Sequence, residues 1–239
     1  MSILAEVKRF YDSAGISPTN FRCKYLRECK AGSRRFTEAH EPYIGRGYDR
    51  ATLPRLLFLS LDSGEGDRDP QNRTAEASRS WEEQLDMSEL DRNKHWFLTH
   101  QLAATLLSQF KPNLNESTVR PYFAHTNSAK CCMNKDGREM ADPRMFVNCR
   151  QYLKGELIAL RPAILVTQGN WAMWAVEELF PPKSIAGDLK RCGHGILDLA
   201  GREVLWFHAY HPRFGGFFRQ RRKCYSAWQR VVHNFCARA

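Results

Sequence analysis

No stretch of this chain approaches the roughly 18 uninterrupted apolar residues that a membrane-spanning helix needs, so a helical membrane protein is excluded. A cationic start leading into an apolar run is also missing. Met1 to Ala14 instead spaces Ile3, Leu4, Val7, Phe10 and Tyr11 at helical intervals, which predicts a surface helix and not a signal peptide. A soluble, cytoplasmic protein is the expectation, in a compartment where thiols stay reduced and clustered cysteines more often hold metal than pair. Acidic residues are in short supply: 26 Asp plus Glu face 36 Lys plus Arg, leaving a formal charge of +10. That balance argues against an acidic partner and favours a polyanion, nucleic acid first, over a merely basic soluble protein. With no internal repeat and no low-complexity tract, the 239 residues fit a single domain, 1–239, closing one core.

Four short apolar runs, each ending in polar residues, read as buried strands: Leu56 to Leu61, Tyr122 to Thr126, Ile164 to Thr167 and Val204 to His208. Between them lie helical patterns over His95 to Phe110, Pro143 to Leu160 and Trp171 to Leu179, with a last one from about Phe217 to Ala237. This alternation predicts an α/β fold, three layers α/β/α around a mostly parallel four-stranded sheet. Gly195 to Phe207 is expected to form a hairpin around Ala200-Gly201. Gly64 to Lys94 stands apart as a polar inserted segment, long for a loop, with a possible helix over Ala75 to Leu85. Open parallel sheets bind ligands at the carboxyl ends of their strands. There the sequence places Asp62, Asn127, Gln168 with Asn170, and His211.

Of eight cysteines, Cys23 and Cys29 lie early and Cys131 and Cys149 in the middle. Two widely separated pairs suggest a buried metal centre tying the N-terminal segment to the centre of the fold. Cys192, Cys224 and Cys236 have no motif context and are expected to be core or surface thiols.

Several ordered motifs carry a family resemblance: Thr126-Asn127-Ser128-Ala129-Lys130-Cys131, Cys149-Arg150-Gln151-Tyr152-Leu153, Leu160-Arg161-Pro162 and Ala209-Tyr210-His211-Pro212. Together they resemble the uracil-DNA glycosylase superfamily, closest to its iron-sulfur branch, over about Phe21 to Phe235. The resemblance implies a four-iron four-sulfur cluster on Cys23, Cys29, Cys131 and Cys149, zinc being the alternative that four thiolates would also accept. Five residues separate Cys23 from Cys29 where the family usually has two. Ser60-Leu61-Asp62-Ser63-Gly64 stands where the family carries its water-activating residue; the iron-sulfur branch has Glu at the place of Leu61, whereas Asp62 matches the aspartate of the classical uracil enzymes.

What the resemblance implies is a monofunctional DNA glycosylase. Asp62 would orient water and stabilise a sugar cation, and His211 would donate to the departing base. Asn127 would read the base edge, and Trp96 or Phe97 would stack on it. Gly64, where classical enzymes place a tyrosine, leaves room at the pyrimidine C5 edge, so a C5-modified pyrimidine, such as a bulky cytosine of viral DNA, joins uracil as a candidate substrate and antiviral defence as a candidate setting. Arg213, Phe214, Arg219 and Arg221 would grip DNA, with Phe214 as a wedge, while Phe217 and Phe218 are expected in the core. DNA is the implied partner of a monomeric chain with no membrane role. Plainer readings stay open: Asp62 as a turn cap, Asn127 as a strand-end cap, His211 as a loop histidine, His208 in strand packing, and the whole as an iron-sulfur DNA-binding module without catalysis.

Overall fold

A computed structural model describes residues 1–31, 36–64, 66–91, 94–132, 141–212 and 215–238. Its seven strands are β1 (Tyr43–Ile44), β2 (Leu56–Ser60), β3 (Phe123–Asn127), β4 (Ile164–Gln168), β5 (Ser184–Ala186), β6 (His194–Leu199) and β7 (Arg202–Ala209). They form one mixed sheet in the order β1-β3-β2-β4-β7-β6-β5. The four expected strands are its parallel centre, β3-β2-β4-β7. All five residues of β2 and of β4 are buried, as continuous apolar runs covered on both faces should be.

The expected count of four strands is corrected to seven. The antiparallel β1 on one edge spans two residues and β5 on the other spans three exposed ones, too little for alternation to register. The hairpin is as expected: β6 and β7 pair antiparallel, and Ala200 (φ 53°) and Gly201 (φ 81°) both take the left-handed conformation of a tight two-residue turn.

Eight α-helices occur among the described residues: α1 (Ile3–Ser13), α2 (Leu26–Lys30), α3 (Arg46–Asp49), α4 (Ala75–Gln84), α5 (His95–Leu107), α6 (Pro143–Leu160), α7 (Asn170–Leu179) and α8 (Gly215–Cys236). None of them is long and apolar enough to cross a membrane. Strand alternation sorts their partners. Leu57, Leu59, Leu165 and Trp206 face α1, α6 and α7, while Phe58, Phe123, Val166 and Phe207 face α5 and α8. The Leu160-Arg161-Pro162 motif ends α6: Arg161 takes the left-handed cap conformation (φ 48°), and Pro162 cannot continue the helix.

The polar segment 64–94 is tied to the body by two buried charged side chains. Arg73 (1 % exposed) donates to the Glu38 carbonyl at 2.6 Å. Glu82, fully buried in α4, accepts from Trp96 Nε1 at 2.6 Å and meets His100 Nε2 at 2.5 Å.

Cys192 and Cys224, expected as separate thiols, form a disulfide. The pairing depends on a tertiary contact. Three positions of α8 one turn apart grip residues 191–192: Gln220 donates to the Arg191 carbonyl (3.0 Å), Cys224 is bonded to Cys192, and Trp228 Nε1 donates to the Cys192 carbonyl (3.1 Å).

Candidate active site and thiol cluster

The alternation that sends Phe58, Phe123 and Val166 toward α5 and α8 also sends Ser60, His125, Asn127 and Gln168 to that face, at the carboxyl edge of the parallel strands. Their polar groups form a directed network. Ser60 Oγ donates to Gln168 Oε1 (2.7 Å), so the proton between Ser60 and His125 must come from His125 Nε2 (2.8 Å). His95, the first residue of α5, places Nε2 at 3.1 Å from Gln168 Oε1 and 3.2 Å from Ser60 Oγ. Gln168 in turn donates to Thr99 Oγ1 (3.1 Å). Burial, helped by the charges of His100, Lys130 and His211, pushes His125 down to about 3 and keeps it neutral at physiological pH. The His95 ring lies parallel to that of His211, centroids 4.8 Å apart and planes 13° apart.

His211 (8 % exposed) reaches this edge because of two features beyond β7. Gly169 (φ 96°) sits where a Cβ would lie 2.9 Å from Leu61 Cδ2 and 3.4 Å from His211 Cβ, so the loops after β2 and β7 can close on β4 only around glycine. Gln220 accepts from the Tyr210 N–H (2.9 Å) and donates to the His208 carbonyl (2.8 Å), holding the backbone on which His211 rides. His208 itself is fully buried beside Thr167, in the packing role expected of it.

Asp62 is half-buried, and both its oxygens accept backbone N–H groups, Gly64 at 2.7 Å and Ala141 at 2.9 Å. It is therefore a turn cap whatever else it does, with lone-pair positions left over for a water. Among the described residues, nothing lies within 4 Å of where a Cβ on Gly64 (φ 68°) would stand. Among the described residues, the buried amide oxygen of Asn127 has no hydrogen-bond partner, an exception to the rule that buried polar atoms are paired.

Lys130 sits beneath this edge. Its ammonium uses all three donors, on Thr126 Oγ1 (2.9 Å), the Asn127 carbonyl (2.6 Å) and the carboxylate of fully buried Glu156. Glu156 also accepts from Tyr11 (2.6 Å) and Thr126 (2.7 Å), joining α1, β3 and α6. Burial first, then the Glu156 charge, pushes the Tyr11 phenol well above its ordinary range.

The four thiols expected to act together do share one locality. Burial pushes Cys131 well up, and the charges of Cys149, Cys23, Cys29 and the adjacent Cys132 add to this. Burial pushes Cys149 up to about 12, against the Lys130 N–H that it accepts at 3.3 Å. Cys29 and Cys131 pack in an apolar cluster with Ala39, Ala129, Ala141, Met145 and Phe146. Cys132, next in sequence, points elsewhere, beside Gly66 and Thr37. Among the described residues, no three His, Cys, Asp or Glu side chains are grouped so as to hold a metal ion.

Of the two aromatic candidates for base stacking, Trp96 touches the network only edge-on, at His125, and Phe97 lies away from it. Trp96 is edge-on to Tyr43, His100 and His125 with its N–H on Glu82, and Phe97 lines a cavity of about 550 Å³ with Met87, Gln101, Phe218 and Arg221. Successive helical residues point about 100° apart, and it is His95, one residue earlier, that meets the site. Its sequence signal was slight: a histidine opening a helix after the polar segment. Arg219 is exposed, and Arg221 lines the Phe97 cavity. Phe217 is buried as expected, but Phe218 is 37 % exposed and lines that cavity instead of the core. Arg213 and Phe214 lie outside the described residues.

No protein-family model and no curated protein matches this chain.

Proposed function

We propose that the protein is a monofunctional DNA glycosylase that flips a pyrimidine nucleotide out of DNA and hydrolyses its N-glycosidic bond. One observation carries the reading: the buried Asn127 amide oxygen, which has no partner among the described residues, lies at the same strand edge as Asp62 and His211. An acceptor held dry and unsatisfied suits a ligand that brings its own N–H, as the edge of a pyrimidine does. Cleavage of a base-sugar bond builds positive charge on the sugar and negative charge on the base. Asp62 supplies the carboxylate that orients water and steadies the sugar cation. The His211 ring supplies a donor for the base oxygen, and preorganised donors of this kind lower barriers by about 3 kcal/mol. All three Lys130 protons are engaged, which supports hydrolysis over Schiff-base chemistry at that residue.

The donor set at Cys23, Cys29, Cys131 and Cys149 fits a four-iron four-sulfur cluster: soft thiols, mostly buried, against an apolar wall, with one backbone N–H directed at Cys149. Such a cluster would cross-link the segment around α2 to β3 and α6 and serve structure, without redox turnover. The net charge of +10 and exposed Arg219 support DNA as partner.

The space around Gly64 left by the described residues supports a pyrimidine with a C5 substituent alongside uracil. A second reading, a binding module without turnover, draws on the double engagement of Asp62 by backbone donors. Abasic-site formation on uracil DNA and on viral DNA with bulky C5-modified cytosines, with Asp62→Ala as the blank, separates the two. Release of either base, lost in Asp62→Ala with DNA binding kept, is expected. A wild-type protein that binds DNA and releases neither base refutes the glycosylase reading.

A further inference from the structure

We infer that Lys190 and Arg191, in the loop before β6, join Arg219 and Lys223, on α8, in one clamp for the phosphates of duplex DNA beside the flipped nucleotide, a role that rests on DNA being the partner proposed above. Charge is concentrated at this end of the chain: residues 204–239 contain no Asp or Glu and carry seven Arg and Lys. The two elements meet at the carboxyl edge of the sheet. β6 runs antiparallel to β7, so residues 188–193, which lead into β6, lie at the end where β7 finishes and Tyr210-His211 begins. Their turn is tight: the Asp188 carbonyl accepts the N–H groups of Arg191 (2.9 Å) and Gly193 (2.8 Å), and a Cβ on Gly193 would stand 2.6 Å from the Asp188 carbonyl carbon. Gln220 and the Cys192–Cys224 bridge fasten α8 to this turn, and Gln220 also holds the backbone on either side of Ala209.

Arg219 and Lys223 each precede one of these anchors and, four residues apart, share the exposed face of the helix. Lys190 and Arg191 are exposed on the loop. Burial first, then the Lys190 charge, lowers His208 to about 4, which sets that ammonium near the end of β7. Among the described residues Lys190, Arg219 and Lys223 have no carboxylate partner, and Arg191 meets Asp188 at 3.5 Å between exposed side chains, a pair worth little. Single-strand binders stack bases on aromatic rings set between their cations. Here Phe217, Tyr225 and Trp228 of α8 all point into the core, so the rim offers phosphate contacts without stacking, which fits a duplex.

The test is the salt dependence of binding to a short B-form duplex that carries neither uracil nor a modified base. Each phosphate contact contributes about 0.9 to the slope of log K against log salt. Lys190→Gln and Lys223→Gln are each expected to make the slope shallower by about 0.9, and the double variant, between about 50 and 200 mM salt, to lose about tenfold less affinity than the wild type. Arg230→Gln is the control, exposed on the same helix face but about 16 Å farther along α8, beyond a Debye length of about 10 Å, and should leave the slope unchanged. An unchanged slope in either single variant, an equal drop in Arg230→Gln, a drop confined to single-stranded DNA, or a wild type that binds no duplex overturns the clamp. A wild type that gives the expected slopes and releases no base sinks the glycosylase reading and leaves the clamp standing. Base release with a slope unmoved by Lys190→Gln sinks the clamp alone.

Discussion

Replacing Lys130 with methionine should be the most damaging conservative change in the molecule. Lys130 is 2 % exposed and Glu156 fully buried, and the two charges are each other's compensation. Without Lys130, the Glu156 carboxylate keeps the Tyr11 and Thr126 hydroxyls but no counter-charge. Breaking a buried pair from one side costs about 3–5 kcal/mol. A domain of this size loses about 2–4 °C of Tm per kcal/mol, so a fall of roughly 10 °C is expected. The loss should depend on pH. An uncompensated buried carboxylate has its folded-state pKa raised, so the folded variant holds a proton that the unfolded chain releases, and its stability falls as pH rises above the unfolded value of about 4.3. Denaturant titrations of both proteins at pH 6 and pH 8 should show the larger deficit at pH 8. Lys130→Met/Glu156→Leu, which removes both charges, should recover part of the loss. A deficit under about 1 kcal/mol, or one independent of pH, would refute the idea that this pair holds β3 to α6.

Acid should destabilise the protein. Burial holds His40 and His208 down at about 4 and His125 at about 3, so all three stay neutral in the fold while the unfolded chain protonates them near 6.5; the stability present above that value is lost as pH falls. Glu41 opposes them, since burial raises it to about 7 and the fold therefore gains stability as pH drops from 7 toward 4.5. At pH 5 the histidines lose roughly 6 kcal/mol together and Glu41 returns about 3, for a net loss of about 3 kcal/mol; a flat denaturation midpoint from pH 7 to 5 would contradict this. Alkylation of the denatured, unreduced protein should label six of its eight cysteines, with Cys192 and Cys224 protected, and Cys192→Ser/Cys224→Ser should lose about 3 kcal/mol, as expected for a bridge across 32 residues. Labelling of all eight without reductant would disprove the bridge. Anaerobically purified protein should contain about four irons and four sulfides per chain, and Cys149→Ser should lose them; a colourless, iron-free preparation would end the cluster proposal.

Local chemistry, acting over a few residues, made much of the architecture legible. The runs around Leu57, Ala124, Leu165 and Leu205 are apolar on both faces and so had to be central parallel strands. Asp142-Pro143 and Leu160-Arg161-Pro162 mark both ends of α6 through capping and proline geometry. Strand termini also placed Asp62, Asn127, Gln168 and His211 at one edge, because parallel strands all end on the same side. Edge strands as short as β1 and β5 carry no period to detect. Which of three consecutive side chains of α5 meets the site depended on how that helix lies on the sheet, and it brought His95 there while turning Trp96 toward Glu82 and Phe97 toward α8. The Cys192–Cys224 bridge, the Lys130–Glu156 pair and the unsatisfied oxygen of Asn127 likewise belong to the tertiary structure, since each is defined by groups distant in sequence, or by their absence, and no local pattern records who meets whom.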